Sequence, residues 1–351
     1  MAVALVCPDK FRGTLTAAGA AEAMARGLEA AEVDRRRFDE IRRLPLADGG
    51  EGTLDALLAS RGGSRRRVTV TGPLGVQVEA EWGVLPDGTA VIESARASGL
   101  ALLAGPNDPL AATSRGTGEL IRAAVRGGAT RIVVAVGGSA MTDGGLGAID
   151  AVGWSLAGLD VTVACDVTTG FVAAAGRFGP QKGATAAQVA LLTRRLERLA
   201  EVYRQRTGVD VAALPHAGAA GGLAGGLAAL GARLEPGFDV VARAAGFEAA
   251  LEGADLVLTG EGRFDRTSLE GKVTGSVLEW AASERVAHRA VVAGQVADDL
   301  KTGEPDPLLD DVRVLSLVDR VWQAGEAWAR AGLLAEEAAV EVGRWALGRL
   351  A

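Results

Sequence analysis

Residues 131–147, RIVVAVGGSAMTDGGLG, limit most strongly what this chain can fold into. Ile132 to Val136 is a run of β-branched and small apolar residues, with the length and composition of a strand buried on both faces. It breaks at Gly137-Gly138-Ser139, and Asp143 then precedes a second pair, Gly144-Gly145. Paired glycines lack a Cβ, so their amides can approach a ligand closely. A buried strand that enters such a turn, with a helix behind it, makes a cradle of N–H groups for an anion. Asp143 in that turn suits Mg²⁺ or proton transfer, and it equally suits capping of the next helix.

The pattern recurs. Strand-like runs at 3–6, 41–46, 161–165 and 255–259 are followed by Asp9, Asp48, Asp166 and Glu261, and Gly49-Gly50 follows Asp48. Strands at 3–6, 41–46, 255–259, 289–293 and 312–317 alternate with helical stretches. They are expected to form one parallel sheet of five strands with helices on both faces. Ligands of such sheets bind outside the carboxyl ends of the strands, where these acids lie. After Arg65-Arg66-Arg67 the texture changes. Segments 68–71, 77–84 and 89–93 alternate apolar and polar residues between turn signals, which predicts an antiparallel meander. The meander, the 132–136 strand and the 161–165 strand predict a second α/β domain with a mixed sheet, inserted at 67–236. Residues 1–66 and 237–351 make the first domain. A length of 351 residues suits two domains.

Composition excludes several classes. A net charge of −7 argues against a nucleic-acid or anionic-membrane surface. Two cysteines, Cys7 and Cys165, and two histidines make a Cys/His zinc site improbable. Both cysteines end apolar runs and read as small core residues. The start MAVALVCPDK lacks the basic region of a signal peptide, and no apolar run reaches membrane-helix length, so a cytoplasmic protein is expected. Trp322, Trp328 and Trp345 fall at core spacings of a terminal helix.

Cations accompany the acids at Lys10, Arg12, Arg115, Lys182, Arg263 and Lys272. Arg115 opens a helix, where it could add charge to an anion site. Lys182 sits in a Gly-Pro loop and suits a phosphate as well as plain exposure. Acids for Mg²⁺, amides for phosphate and cations for transferring charge are the needs of phosphoryl transfer. No GxxxxGK[ST] is present and no GxGxxG follows a strand, so a P-loop or an ordinary dinucleotide fold is unsupported.

Ten motifs in order sharpen this. They are CPDKFRGTLTA from Cys7, PLADGGEGT from Pro45, TGPLG from Thr71, ESARASGL from Glu93 and TSRGTGEL from Thr113. Then come VGGSAMTDGG from Val136, ACDV from Ala164, RFGPQKGA from Arg177, AGAAGG from Ala217 and TGEGRFD from Thr259. With these the chain resembles the bacterial glycerate kinases of the type I family, almost end to end. The resemblance implies a flavodoxin-like domain made from both chain ends and an inserted α/β domain. It implies ATP, Mg²⁺ and D-glycerate, with 2- or 3-phosphoglycerate as product, and it leaves a homodimer open. The chain departs from the family pattern at Lys10, Arg12, Met141, Thr142, Thr169-Gly170-Phe171, His216 and Thr267. A kinase of another small hydroxy acid and an ATP-binding paralogue without turnover are therefore the alternatives.

The expected catalytic set is Asp48, Asp143, Asp166 and Arg115, with Asp143 and Asp166 as Mg²⁺ ligands. Substrate and phosphate contacts are expected from Asp9, Lys10, Gly49, Gly50, Gly137, Gly138, Ser139, Gly144, Gly145, Lys182, Glu261 and Lys272.

Overall fold

The computed structural model describes residues 1–350. Its strands are β1 (Val3–Val6), β2 (Glu40–Arg43), β3 (Ser64–Thr71), β4 (Gln77–Val84), β5 (Ala90–Glu93) and β6 (Arg131–Ala135). They continue with β7 (Asp160–Cys165), β8 (Arg233–Pro236), β9 (Leu256–Phe264), β10 (His288–Val296) and β11 (Val312–Ser316). The fold is α/β and divides into two compact units. The first comprises residues 1–47, 55–60 and 241–350 of those described, the second residues 48–54 and 61–240.

The first unit holds a five-stranded sheet in the order β11-β10-β9-β1-β2. Every neighbouring pair is parallel. Renumbered within the unit, the order is 5-4-3-1-2, so the direction in which strands are added reverses between β1 and β9. All four residues of β1 are buried, as a central strand covered on both faces requires. The helix Ala17–Ala30 starts at Thr16, whose hydroxyl accepts from the Gly19 amide. Its alanine face packs on the helix Ala331–Leu347. The approach is closest at Gly27, where a Cβ would stand 2.2 Å from the Glu336 carbonyl oxygen and 2.7 Å from the Ala339 Cβ.

Two expectations for this unit are corrected. The strands expected at 255–259 and 289–293 run on to Phe264 and Val296, paired as far as Val296↔Phe264. Glu261 therefore lies within a strand rather than in a loop. Gly260, Gly262 and Gly294 look like turn residues in sequence, but here they allow close approach. A Cβ on Gly260 would meet the Val292 carbonyl oxygen at 2.0 Å, and one on Gly294 would meet that of Gly262 at 2.4 Å. The tryptophans fare differently as well. Trp322 is 100% and Trp328 67% exposed, because the terminal helix begins only at Ala331. Its buried face is made by Leu334, Ala335, Ala338, Val342 and Ala346, with Trp345 partly buried against it.

The second unit holds a six-stranded sheet in the order β3-β4-β5-β6-β7-β8. β3, β4 and β5 form the antiparallel meander, and β5 to β8 are parallel. β8 escapes a reading by apolar runs because RLEP is short, charged and half exposed at the sheet's edge. The glycine-rich residues 217–226 pack closely. Ala219–Gly222 is a 3₁₀ turn, and the buried helix Leu223–Ala229 follows. A Cβ on Gly225 would stand 2.4 Å from Phe171, and one on Gly226 2.6 Å from the Gly144 carbonyl oxygen.

Gly27→Leu should wedge the two packed helices of the first unit apart. The expected loss is about 3 kcal/mol, the upper end for overpacking, because rigid backbone receives the new atoms. A fall in the urea midpoint at unchanged slope measures it. An unchanged midpoint would mean that the helices do not meet at Gly27.

Candidate functional site

The parallel register of β5, β6 and β7 sets Glu93, Ala135 and Ala164 side by side. The segments that leave these strands therefore emerge together. Gly137-Gly138 follows β6 and Asp166 follows β7. A Cβ on Gly137 would stand 2.8 Å from the Gly50 Cα and 3.3 Å from Asp166 Oδ2. Gly49, at φ +85°, is as crowded, since a Cβ there would stand 2.6 Å from the Gly237 Cα and 3.0 Å from the Ala164 carbonyl oxygen. The Val136 amide donates to the Gly49 carbonyl at 3.0 Å. Asp48, Gly49, Gly50, Gly137 and Asp166 are thus held by backbone contact that only glycine permits.

A cavity opens beside this contact, lined by Gly137, Gly138, Ser139, Asp166, Gln181 and Lys182 among others. Lys182 ends the 3₁₀ turn Pro180–Lys182 and is only 3% exposed. Its ammonium donates to Ser139 Oγ at 2.9 Å and to the Met141 carbonyl at 2.5 Å. An ammonium has three donors, so these bonds leave one N–H. Burial pushes the Lys182 pKa down to about 8, against the opposing charges of Asp143 and Asp166. Gly138 has φ +70°, which turns the loop around the cavity. Among the described residues, the Gly137 and Gly138 amides find no backbone acceptor. The site thus combines a buried cation, two amides and an exposed carboxylate, a set that can hold a small anion beside a base.

Asp143 is engaged differently. Its Oδ2 accepts from the Ser114 amide at 2.7 Å, the Ser114 hydroxyl at 2.8 Å and the Gly147 amide at 3.3 Å. Its Oδ1 accepts from the Gly145 amide at 3.0 Å. The carboxylate ties the loop to the starts of the helices Arg115–Arg126 and Leu146–Val152. The Gly144 amide donates to the Gly221 carbonyl, so the second glycine pair has no amide to offer a ligand. A Cβ on Gly144 would stand 2.4 Å from Leu199, which makes this pair a packing element. Arg115 is exposed and pairs with Glu119 at 3.0 Å.

Sequence reasoning passed over Glu93. It is 2% exposed and accepts from the Gly52 and Leu54 amides at 2.9 and 2.8 Å. Arg96 pairs with it at 2.6 Å. The acid thereby fixes the Asp48 loop from below. The signal was present, because Glu93 is the one charged residue closing the fully buried run Ala90-Val91-Ile92.

Asp9, Lys10, Glu261 and Lys272 belong to the first unit: Asp9 and Lys10 follow β1, Glu261 lies within β9, and Lys272 stands at the N-cap of the helix Val273–Ser283 that follows β9. The Asp9 amide donates to the Gly260 carbonyl at 2.8 Å. Lys272 Nζ donates to Thr267 Oγ1 at 2.7 Å, and Thr267 donates to Asp265. Burial raises the Glu261 carboxyl above the usual carboxylate range.

The chain matches the model of the glycerate kinase family over residues 4–160 and 154–347. It is 40% identical to a protein named glycerate 2-kinase from Escherichia coli K12, over 84% of this chain and 86% of that one. It is also 40% identical to a glycerate kinase from Bacillus subtilis 168, over 84% of this chain and 85% of that one. A crystal structure named "putative glycerate kinase 2", from Salmonella typhimurium LT2, superposes with a TM-score of 0.82 at 34% identity, covering 97% of both chains.

Two outcomes follow from the site's geometry. Asp143→Asn leaves a single carbonyl oxygen for donors that now share two, and should cost about 2–3 kcal/mol. Thermal unfolding checks this, and an unchanged midpoint would deny Asp143 its bracing role. Lys182 gives a pH dependence. Below about pH 8 its ammonium is charged in both the folded and the unfolded chain, and the burial penalty is carried in full. Between about 8 and the ordinary 10.5 the folded chain releases the proton while the unfolded chain keeps it. Stability therefore rises with pH across that window, by roughly 3 kcal/mol in all. Lys182→Met should abolish the rise, read from urea midpoints at pH 7.5 and 9.5.

Proposed function

The chain belongs to the glycerate kinase family, and from that membership we propose that it transfers the γ-phosphate of ATP to a hydroxyl of D-glycerate, giving 2-phosphoglycerate. The observation that carries this is the buried Lys182 ammonium, with one N–H to spare, facing the Gly137-Gly138-Ser139 turn beside Asp166. Lys182 and the two glycine amides hold the carboxylate of the three-carbon acid. Asp166, exposed at the cavity, takes the proton of the attacking hydroxyl. Asp48 stands one short loop away, its Oδ1 accepting from the Gly50 amide at 3.1 Å. Asp143 and the pair Gly144-Gly145 keep the loop's shape. Arg115 would have to leave Glu119 to meet a substrate, so Lys182 takes the carboxylate in its place. The choice of the 2-hydroxyl is supported by the name of the E. coli relative. The type I label rests on the motifs alone.

Mg²⁺ fits this donor set. It commonly takes one or two carboxylates and completes its shell with water and phosphate oxygens. Among the described residues no three His, Cys, Asp or Glu side chains converge on one point, so a cage made only of protein is absent. Asp48 would hold the ion, one carboxylate sufficing beside water and phosphate oxygens, and Asp166 stays the base; both Asp143 oxygens already accept hydrogen bonds. When bound, Mg²⁺ would offset charge on the transferring phosphoryl group.

ADP release from ATP and Mg²⁺ with D-glycerate tests the reaction, and phosphorus NMR reads the position of the new ester. Turnover of roughly 1 per second or faster is expected, with the phosphate on the 2-hydroxyl. Asp166→Asn should lower kcat by about 10²–10⁴-fold, while Lys182→Met should act mainly on the KM for glycerate. In the wild type that KM should climb as pH passes about 8 and Lys182 loses its charge. Absence of turnover by folded protein would overturn the assignment.

A further inference from the structure

We propose that the sheet of the first unit holds the nucleotide. The adenine ring of ATP occupies the apolar cavity at the carboxyl ends of β9, β10 and β11. The phosphates run to the start of the helix Val273–Ser283 beside Lys272. This rests on the kinase assignment above and adds to it which part of the chain takes ATP.

The cavity is walled by Phe264, Val296, Leu300, Leu309, Val314 and Ser316. These include the last residues of β9, β10 and β11. Its volume of about 230 Å³ is below the range of about 300–1,000 Å³ for pockets that enclose a whole ligand. It suits one flat ring of a larger molecule. Lys301 and Asp319 also line it, paired at 3.3 Å. Ser316 is 9% exposed, and its hydroxyl has no hydrogen-bond partner. A hydroxyl can both donate and accept, which matches the mixed edge of a purine.

Two further polar groups lie at the same end of the sheet, and Thr274 with Ser268 faces the Glu261 carboxyl, lowering its pKa against the effect of burial. Thr274 Oγ1 belongs to the second residue of the helix Val273–Ser283, and Glu261 Oε1 belongs to β9. Buried polar atoms of folded proteins are nearly always paired, so the unpartnered Ser316 hydroxyl on the cavity wall indicates a missing polar ligand. The helix start supplies what phosphates require. Its first amides have no partner within the helix, and Lys272 stands at its cap position with one N–H bound to Thr267 and two remaining. Leu278 of that helix shares an apolar cluster with Phe264, Val296 and Leu300, so the helix packs against the cavity wall. Topology agrees. Ligands of open parallel sheets lie outside the carboxyl ends at the point where the strand order reverses. Here that point is between β1 and β9, flanked by Asp9, Lys10 and Glu261.

Photolabelling of the whole chain with 8-azido-ATP, followed by peptide mapping, tests the proposal without any substitution. Label in residues 296–316, competed by ATP, is the expected result. Label confined to the Lys182 cavity, in peptides of 136–182, would overturn this placement and leave the kinase assignment standing. Failure of ADP to bind at all, by calorimetry on folded protein, would overturn both. Lys272→Ala should weaken ADP at least tenfold while the KM for glycerate stays within twofold. Ser316→Ala should reduce the preference for ATP over GTP, because it touches the ring and not the phosphates. Unchanged ADP affinity in Lys272→Ala and an unchanged base preference in Ser316→Ala would count against it.

Discussion

Backbone lies against backbone where β6 and β7 end, and the candidate site depends on that closeness. Gly137 approaches Gly50, and Gly49 approaches Gly237, at distances that leave no room for a Cβ. A Cβ on Gly237 would stand 1.9 Å from the Asp48 carbonyl oxygen, nearly at bonding distance. Four stretches far apart in sequence are therefore locked together without side chains between them. The side chains that matter are carried on the rim of this contact. Asp48 precedes one glycine pair, Ser139 follows another, and Asp166 directly follows β7. The high glycine content is thus explained by packing geometry as much as by turns. In this chain glycine is the means by which loops become rigid enough to hold a small ligand.

Rigidity also decides the electrostatics of Lys182. A flexible lysine would reach water and keep its charge at little cost. Here the ammonium is enclosed and bound to Ser139 and the Met141 carbonyl, so its charge is stabilised by few fixed partners. Desolvation outweighs the attraction of Asp143 and Asp166, and the net effect is a depressed pKa. An anion in the cavity would change that balance, because it would supply the counter-charge that burial withholds. Ligand binding and protonation of Lys182 are linked for this reason. The cost of burying the amine is a standing destabilisation of the empty protein, and an anionic substrate offsets it. That is the arrangement expected where binding rather than stability sets the residue.

Much of this was legible in the sequence. The parallel sheet of the first unit follows from short strand-like runs separated by helices, though β2 forms at Glu40–Arg43 rather than at 41–46 and β9 and β10 run on past the expected ends. The meander follows from alternation and turn residues. What was illegible has a common physical cause, since apolar periodicity reports burial and not pairing. β8 is paired but little buried, so RLEP gave no signal. The extensions of β9 and β10 are paired through glycine-containing stretches whose composition looks like a loop. Trp322 and Trp328 show the converse, being apolar residues that local helix boundaries leave outside the core. At the site, Gly137, Gly138, Ser139, Asp166 and Lys182, all singled out in the sequence, line one cavity. Glu93 was not singled out, because its work depends on which loop lies above it.

The acids at strand ends can be sorted by what their oxygens accept. Glu93 receives amides from the start of a helix, as do Asp143 and Asp265. A carboxylate there offsets the positive end of the helix and satisfies orphan amides, so it belongs to the scaffold. For Asp143 the sequence carried a hint, since Gly145 and Gly147 follow at two and four residues, which is capping distance. Asp166 and Glu261 stand apart. One is exposed on the cavity beside Lys182, and the other faces Thr274 and Ser268. The raised pKa of Glu261, set by burial over the hydrogen bonds of Thr274 and Ser268, marks a cost the fold bears. Acids of this second kind are the ones to assign to ligands. Asp166 directly follows β7 in the second unit, and Glu261 lies in β9 of the first, beyond its last pairing with β1.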